Sequence, residues 1–406
     1  MGRVTGSVRT YGCEWLQYDY GPGLVPEEAP GPFTMWRYRH LLPMSDGPVR
    51  YPLPIGGTPL LPAPALRGAL GTPSLWVKDE TRGPTASNKD RATALVIEDG
   101  LRHGLDTITT ASTGNAAVAT AFGAAAAGMR AAIFVSIDCQ EDKLALMTQA
   151  GAWVFQVPDG YAAAVDLSRA AVEEFGWVDR NTGVNPLTTE AKKTVALEVW
   201  EQLGRRMPDV MVAPVGDGPT LAALEKGFAE LVACGVAASK PRLVGVQARA
   251  CQPLVRAWQG TDPAPDELDP MSTAADGIAV LRPAIGDAVL RAVRSSDGAM
   301  VAVSESELME AVGLLASTAG VGAEPAGAAS VAGLRSALRE GLVDRDETVV
   351  VLVTGREIKA AGPPSRDRVT VADRLDDVRQ AFGRVPLPIQ SHQFVPIRAT
   401  IEQTEE

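Results

Sequence analysis

Cysteine and histidine are scarce in this 406-residue chain, which contains four cysteines and three histidines. They are Cys13, Cys139, Cys234 and Cys251, with His40, His103 and His392. No two cysteines form a close pair and the histidines share no ligand spacing, so the sequence predicts neither a zinc site nor a disulfide framework. We therefore expect no bound metal and a reducing, cytoplasmic setting.

Long apolar runs and an excess of positive charge are also missing. The longest stretch of small apolar residues, 116–129, is too short and too often interrupted by glycine to span a bilayer. The first residues contain no apolar signal core. The formal net charge is −11 and the pI is about 5.0, which argues against nucleic acid as the main partner. We expect neither a membrane nor a nucleic-acid partner.

Alanine-rich segments alternate with short β-rich runs from Leu75 onwards, and aromatic residues make up only 5% of the chain. The run 349–353 contains only Val and Leu, as is typical of a strand buried on both faces. This alternation predicts an α/β fold with mostly parallel sheets flanked by helices. In such folds ligands bind beyond the carboxyl ends of the strands, so the strand-to-helix loops are where a site is expected. The first fifty residues are predicted to be an irregular lead-in.

The first loop of interest, residues 83–91 (GPTASNKDR), carries a lysine at the start of a predicted helix. Thr85 or Ser87 can cap this helix, which places Lys89 in its first turn. The partial positive charge of a helix N-terminus disfavours the ammonium form of Lys89, and this favours covalent bonding to an aldehyde. Taken alone, an ordinary solvated lysine is the simpler interpretation.

The second loop, residues 111–115 (ASTGN), lies between a predicted strand and a helix of small residues. Ser112, Thr113 and the N–H groups at the helix start form a cradle that suits a carboxylate. The amide of Asn115 can hydrogen-bond a substituent of a planar ring. An ordinary helix N-cap is the alternative.

The third loop, residues 212–221 (VAPVGDGPTL), is predicted to be a strand, a glycine turn and a helix, the usual arrangement for binding a phosphate. Pro219 suits the first helical position but supplies no N–H. The carboxylate of Asp217 would repel a phosphate, so we expect it to point away while its backbone N–H contributes. Leu221 stands where a dinucleotide-binding motif has its last glycine, so a nicotinamide site is only weakly indicated.

Together the three loops supply an amine, a phosphate cradle, a carboxylate cradle and an amide, which is the set that pyridoxal 5'-phosphate (PLP) chemistry requires. The order of the motifs resembles that of threonine synthases and their relatives in the tryptophan-synthase-β-like, fold type II group of PLP enzymes. The resemblance extends from about residue 38 to residue 359. It rests on the segments 55–60 (IGGTPL), 76–80 (WVKDE), 84–91 (PTASNKDR) and 112–115 (STGN), and on the late pair Thr354-Gly355.

The resemblance implies a role for each candidate residue. Lys89 takes the position of the lysine that binds PLP as a Schiff base, and Asn115 that of the residue at the ring hydroxyl. The residues implied for the phosphate are Gly216, Asp217, Gly218 and Thr220, with Thr354 near the pyridine nitrogen. The residues implied for the substrate are Ser112, Thr113, Gly114 and Thr188.

The resemblance also implies an architecture of two domains, with PLP in the cleft between them. The larger domain comprises residues 1–78 and 186–370, the smaller one residues 79–185, and residues 371–406 form a C-terminal tail. Members of the group are usually homodimers, and we expect the same here.

Several positions depart from the family pattern. Asn88 stands where an aromatic residue is usual, and Glu357 where glycine is usual. Threonine synthases commonly read N-P-Y/F-R where this chain has Asn185-Pro-Leu-Thr188, and that arginine helps to bind the phosphate of O-phosphohomoserine. Losing an arginine fork is not a conservative change, although Lys192 or Lys193 could supply a point charge instead.

The activity that follows from the resemblance is elimination or replacement at the β or γ carbon of an amino acid. Threonine formation from O-phosphohomoserine is the nearest family reaction. Because of the missing arginine, β-replacement or ammonia-lyase (dehydratase) chemistry on O-phosphoserine, serine or threonine is the second hypothesis. A PLP-binding protein without turnover and a nicotinamide dehydrogenase are alternatives from other classes.

Overall fold

The computed structural model describes residues 3–10, 13–19, 31–261 and 268–383. Its first elements are β1 (Arg3–Thr10) and β2 (Cys13–Asp19), which pair antiparallel. The prediction of an irregular lead-in was therefore wrong for this segment. Val and Thr recur in β1, a composition that favours strands, and the Gly and Pro residues nearby obscured that signal. Residues 384–406 of the predicted C-terminal tail lie outside the described residues.

The larger sheet has six strands, and its continuously apolar members are buried on both faces. In spatial order they are β11 (Ala299–Val303), β10 (Arg242–Ala248), β9 (Val210–Pro214), β12 (Val349–Val353), β4 (Leu75–Asp79) and β3 (Leu60–Leu61). All neighbours are parallel except β3, which runs antiparallel to β4. Every residue of β9 and β12 is buried, as their apolar sequences predicted.

The smaller sheet has five strands, and all of its neighbours are parallel. In spatial order they are β13 (Val369–Val371), β7 (Trp153–Val157), β6 (Arg130–Ser136), β5 (Thr107–Ala111) and β8 (Val178–Asp179). The prediction of an α/β fold with mostly parallel sheets is thus confirmed. The limits of the two domains stay a prediction, and β13, which comes late in the chain, joins the smaller sheet.

Helices flank both sheets. They are α1 (Pro64–Leu70), α2 (Lys89–Arg102), α3 (Asn115–Ala126), α4 (Glu141–Gln149), α5 (Gly160–Phe175), α6 (Leu187–Gln202), α7 (Pro219–Ala233), α8 (Pro253–Trp258), α9 (Gly286–Ser295), α10 (Glu305–Ala319), α11 (Pro325–Arg339) and α12 (Leu375–Phe382). In the part of the chain that the structure describes, no helix is both long enough and apolar enough to cross a membrane.

A buried charge network fixes helix α2 against helix α6. The Glu198 carboxylate accepts hydrogen bonds from Lys78 Nζ at 2.6 Å and from the Arg91 guanidinium at 2.6 and 2.8 Å. Arg91 also pairs with Glu80 at 2.7 Å. Burial alone would raise the pKa of Glu198, but Arg91 and Lys78 outweigh it and hold that pKa at about 2. Because Arg91 lies two residues after Lys89, this network sets the position of the helix that carries the lysine.

Candidate active site

A cavity of about 890 Å³ is lined by loops that follow the carboxyl ends of strands in both sheets, namely β5, β9 and β12. Ten of the sequence-predicted site residues line it, and these are Lys89, Ser112, Thr113, Gly114, Asn115, Gly216, Asp217, Gly218, Thr220 and Thr354. The eleventh, Thr188, is not among the lining residues. Its buried hydroxyl donates to the Asn185 carbonyl at 2.8 Å, so its hydrogen-bonding capacity is used within the first turn of α6.

Lys89 is the first residue of α2, and its amine faces the cavity. Its Nζ donates to Asn88 Oδ1 at 3.0 Å. Desolvation by the surrounding protein lowers the pKa of Lys89, while the Glu324 carboxylate opposes that shift. Neither predicted cap is the N-cap of α2, which is Asn88. Ser87 Oγ accepts from the Lys89 N–H at 3.4 Å, and the Thr85 hydroxyl binds Asp90. The result is an amine whose neutral form is favoured where a ligand would meet it.

The lysine loop is held against the loop that follows β12. The Asn88 N–H donates to the Thr354 carbonyl at 2.8 Å, and the Arg356 N–H donates to the Ala86 carbonyl at 3.0 Å. A side-chain bond from Asn88 Nδ2 to Thr220 Oγ1 at 3.3 Å reaches the start of α7. These contacts explain how residues more than a hundred positions apart in sequence come to share one cavity wall.

The glycine turn after β9 forms the start of helix α7. The first N–H groups of a helix have no intrahelical acceptor, and among the residues of this turn and helix start Gly216, Asp217, Gly218 and Thr220 carry an N–H and line the cavity, whereas Pro219 has none. Gly218 has φ +99°, and a Cβ there would lie 2.2 Å from Val289 Cγ2. The Asp217 carboxylate accepts from the Ala284 N–H at 3.4 Å, and burial raises its pKa. The turn therefore offers backbone donors for an anion at a place where a side chain would collide.

Replacing Gly218 with alanine is expected to weaken phosphate binding at this turn, because the backbone must shift to relieve the collision with Val289. We expect the dissociation constant for PLP to rise roughly tenfold or more, since a strained residue of this kind costs about 1–3 kcal/mol. Absorbance titration of the cofactor-free protein measures it. Gly151→Ala is the matched control, because Gly151 also has positive φ, +85°, with no atom within 4 Å of the added Cβ. Equal PLP affinity in the two variants would contradict the assignment of this turn.

Glu324 is a cavity residue that the sequence reasoning missed. The Asn115 amide donates to both of its carboxylate oxygens, at 2.9 and 3.1 Å, and its own N–H donates to the Gly355 carbonyl at 3.1 Å. Burial raises the pKa of Glu324, with Asn115 and Lys89 opposing. The sequence feature that could have identified it is its place directly before Pro325. Proline favours the first position of a helix, so an acidic residue before it is expected at the start of that helix. Asn115, predicted to face a ring substituent, is thus oriented by a carboxylate.

Lys192 also lines the cavity, and the structure distinguishes it from the neighbouring Lys193. Of the two lysines that could replace the missing arginine, Lys193 pairs with Glu190 at 2.7 Å and Glu230 at 2.8 Å between α6 and α7. Lys192 instead lines the cavity. Across residues 31–261 and 268–383, no group of three or more His, Cys, Asp or Glu side chains is arranged to hold a metal ion.

Comparisons with known proteins agree with this arrangement. The family model described as pyridoxal-phosphate dependent enzyme matches residues 51–355. The threonine synthase of Methanosarcina acetivorans is 35% identical over 358 residues, which cover 86% of this chain and 87% of that protein. The threonine synthase of Mycobacterium tuberculosis is 34% identical over 344 residues, covering 84% and 93%.

Solved structures show the same fold. A threonine deaminase from T.th. is 26% identical with a TM-score of 0.60, covering 75% of this chain and 94% of that one. The L-serine ammonia-lyase of Rhizomucor miehei has a TM-score of 0.64 at 20% identity, covering 80% and 98%.

Two parallel sheets with a lysine-bearing cavity at their carboxyl ends define a fold type II PLP enzyme. The chain belongs to the family of pyridoxal-phosphate-dependent enzymes, and its curated relatives include threonine synthases. The donor set fits the cofactor, because a desolvated amine, an anion-binding helix start and the half-buried amide of Asn115 open into one cavity. The predictions of PLP as cofactor and of a PLP-dependent lyase related to threonine synthases are confirmed.

Proposed function

We propose that this enzyme forms threonine from O-phosphohomoserine, with the reaction taking place in the cavity that contains Lys89. The observation that carries the proposal is the convergence of the Lys89 amine, the Asn115 amide and the start of α7 on that cavity. The identity of 34–35% to threonine synthases over most of the chain supports the choice of reaction.

In this proposal the residues that hold the cofactor are those of the glycine turn and the two loops beside it. Lys89 binds its aldehyde carbon, and the backbone of Gly216, Asp217, Gly218 and Thr220 binds its phosphate. Asn115 lies at the ring hydroxyl and Thr354 at the ring nitrogen. When bound, PLP withdraws electrons from the α-carbon of the substrate and so makes loss of the α-proton possible.

Lys89 Nζ is the proposed base. Its desolvated environment favours the neutral amine, and the positive end of α2 adds to this preference. The neutral form of this amine can accept the α-proton and return it to a later carbon, so one side chain serves both transfers. Desolvation thus shifts the pKa of Lys89 in the direction that general-base catalysis requires.

The start of helix α3 is the proposed site for the substrate's carboxylate. Ser112, Thr113 and Gly114 line the cavity directly before Asn115, the first residue of that helix. The Gly114 N–H donates to Ser112 Oγ at 3.2 Å, which leaves the hydroxyl hydrogen of Ser112 available to a ligand. A carboxylate here would be held by the helix start and oriented relative to Lys89.

One observation favours a second candidate function. Thr188 occupies the place of the family's phosphate-binding arginine and does not line the cavity. The 26% identity to a threonine deaminase points the same way. Elimination or β-replacement on O-phosphoserine, serine or threonine is therefore the alternative proposal.

A direct comparison of substrates separates these two functions. We expect O-phosphohomoserine to give phosphate and threonine in equal amounts, with kcat/KM at least about tenfold above that for O-phosphoserine, since a missing methylene in a fitted site costs about 1–3 kcal/mol. Phosphate assay and amino-acid analysis of the same samples measure both products. Faster formation of a 2-oxo acid from serine or threonine would instead establish the second function.

A homodimer, a cytoplasmic setting and a smaller domain built on residues 79–185 complete the proposal, with Val369–Val371 added to that domain because β13 pairs with β7. They rest on the resemblance to the fold type II group and on the reduced state expected for its cysteines.

A further inference from the structure

Lys192 is a buried lysine whose side chain lines the cavity. Only 2% of the residue is exposed. Within the described residues no carboxylate forms an ion pair with it, whereas the next residue, Lys193, has Glu190 and Glu230 as partners. The two adjacent lysines of α6 therefore have different surroundings. Lys193 pairs with carboxylates of α6 and α7, whereas Lys192 faces the cavity.

The surroundings of Lys192 are positively charged. Arg180 is fully buried, and in the described structure its guanidinium donates to the hydroxyls of Thr93 at 3.2 Å and Thr182 at 2.6 Å, while its Nη2 has no partner there. Burial lowers the pKa of Arg180 to about 10, so it stays charged at neutral pH.

The charges around Lys192 leave an imbalance that an anion would correct. Burial, and then the charges of Lys89 and Arg180, lower the pKa of Lys192 well below its ordinary value, and Asp217 opposes them. The ammonium form of a buried lysine near the Arg180 guanidinium is unfavourable unless a negative group comes close to it, so an anion in the cavity would stabilise that form. The cavity is large enough to hold such a group together with the rest of a ligand.

We propose that Lys192 binds the anionic group at the far end of the substrate's side chain, so that the site selects amino acids whose distal substituent is a phosphate or a carboxylate. The inference rests on the proposed amino-acid chemistry at Lys89. The cofactor's own phosphate is a second source of the same charge, but the start of α7 already offers backbone donors for it. We therefore assign Lys192 to the substrate. The positive charge of Arg180 adds to the attraction for the substrate's anionic group without contacting that group.

Equilibrium binding tests this assignment without turnover. The probes are L-2-amino-5-phosphonopentanoate, whose carbon–phosphorus bond cannot be eliminated as phosphate, and L-norvaline, which has the same carbon chain without the anion. The absorbance of the bound cofactor reports their dissociation constants in wild type, Lys192→Gln and Lys192→Arg. Lys240→Gln is the matched control, since it removes one positive charge from a lysine paired with Glu225 that is not among the cavity-lining residues.

We expect Lys192→Gln to weaken binding of the phosphonate roughly tenfold or more, because the substitution removes a charge-assisted hydrogen bond to the anion. Binding of norvaline and of PLP should change by less than about twofold, and Lys192→Arg should retain part of the preference. Unchanged phosphonate binding in Lys192→Gln would overturn the inference. So would a large loss of PLP affinity with no change in the preference between the two probes, because the lysine would then serve the cofactor's phosphate. If no amino acid alters the cofactor's absorbance even in wild type, the proposed function itself fails.

Discussion

Lys89→Ala should lose turnover by a factor on the order of 10³ or more, because removing a general acid–base group costs about 10²–10⁴ and the covalent link to the cofactor is lost as well. The substitution removes the amine that faces the cavity and leaves the helix start of α7 intact. PLP should therefore still bind, but reversibly. Steady-state kinetics measure the first effect, and dialysis followed by absorbance measures the second.

Mass spectrometry after borohydride reduction makes the same prediction specific to one residue. In wild type the cofactor mass should appear on the peptide that contains Lys89, and in Lys89→Ala on no peptide. Lys240→Ala, a substitution at an ion-paired lysine away from the cavity-lining set, should behave as wild type. An added small amine such as ethylamine should restore part of the activity of Lys89→Ala, since the missing group is a base. Turnover at the wild-type rate in that variant would remove Lys89 from the mechanism.

Glu198→Gln should lower the free energy of unfolding by about 3–5 kcal/mol, the range found when one partner of a buried ion pair is removed. The glutamine has nearly the same shape, but it leaves Lys78 and Arg91 buried without their shared carboxylate. Urea unfolding followed by fluorescence measures the change. Glu310→Gln is the control, because Glu310 forms an exposed pair with Arg335, and such pairs contribute about 0–1 kcal/mol.

The pH dependence of stability gives an independent check on Glu198. Its pKa in the folded chain is about 2, below the ordinary value of 4.5, so the carboxylate stabilises the folded state above pH 4.5. That contribution is lost as the pH falls from 4.5 towards 2. Glu198→Gln should therefore show a smaller loss of stability over this interval than wild type. Identical slopes in the two proteins would mean that the pKa of Glu198 is the same in the folded and unfolded states, and that its buried ion pairs add no stability over this interval.

The sequence predicted those elements whose signal is local and strong. The Val and Leu run of β12 predicted a strand buried on both faces, and the small residues of α3 predicted a helix after the second loop. The three loops of the cavity were also predictable, because each has its helix start and its polar residues within about ten positions. Shorter elements were missed, among them β13, whose three residues carry too little periodicity to be recognised.

The remaining part of the site depends on packing between distant segments. Glu324 meets Asn115 across 209 positions of sequence, and no local pattern records that contact. The choice between Lys192 and Lys193 was open because α6 is buried almost all round, from Thr188 to Trp200, and so lacks the polar face that would orient it. Thr188 was assigned from its place in a motif, whereas its hydroxyl is bonded within its own turn.

The late position of β13 has a consequence for the order in which the chain folds during synthesis. Strands β5 to β8 lie between residues 107 and 179, so four strands of the smaller sheet emerge from the ribosome together. The outer edge of β7 has no strand to pair with until residue 371 has been made, after the whole of the larger sheet. An open strand edge is a template for pairing with other chains, so the nascent protein carries an aggregation-prone edge for more than half of its synthesis. In the part of the chain that the structure describes, β13 is the last strand, and it is the one that closes that edge.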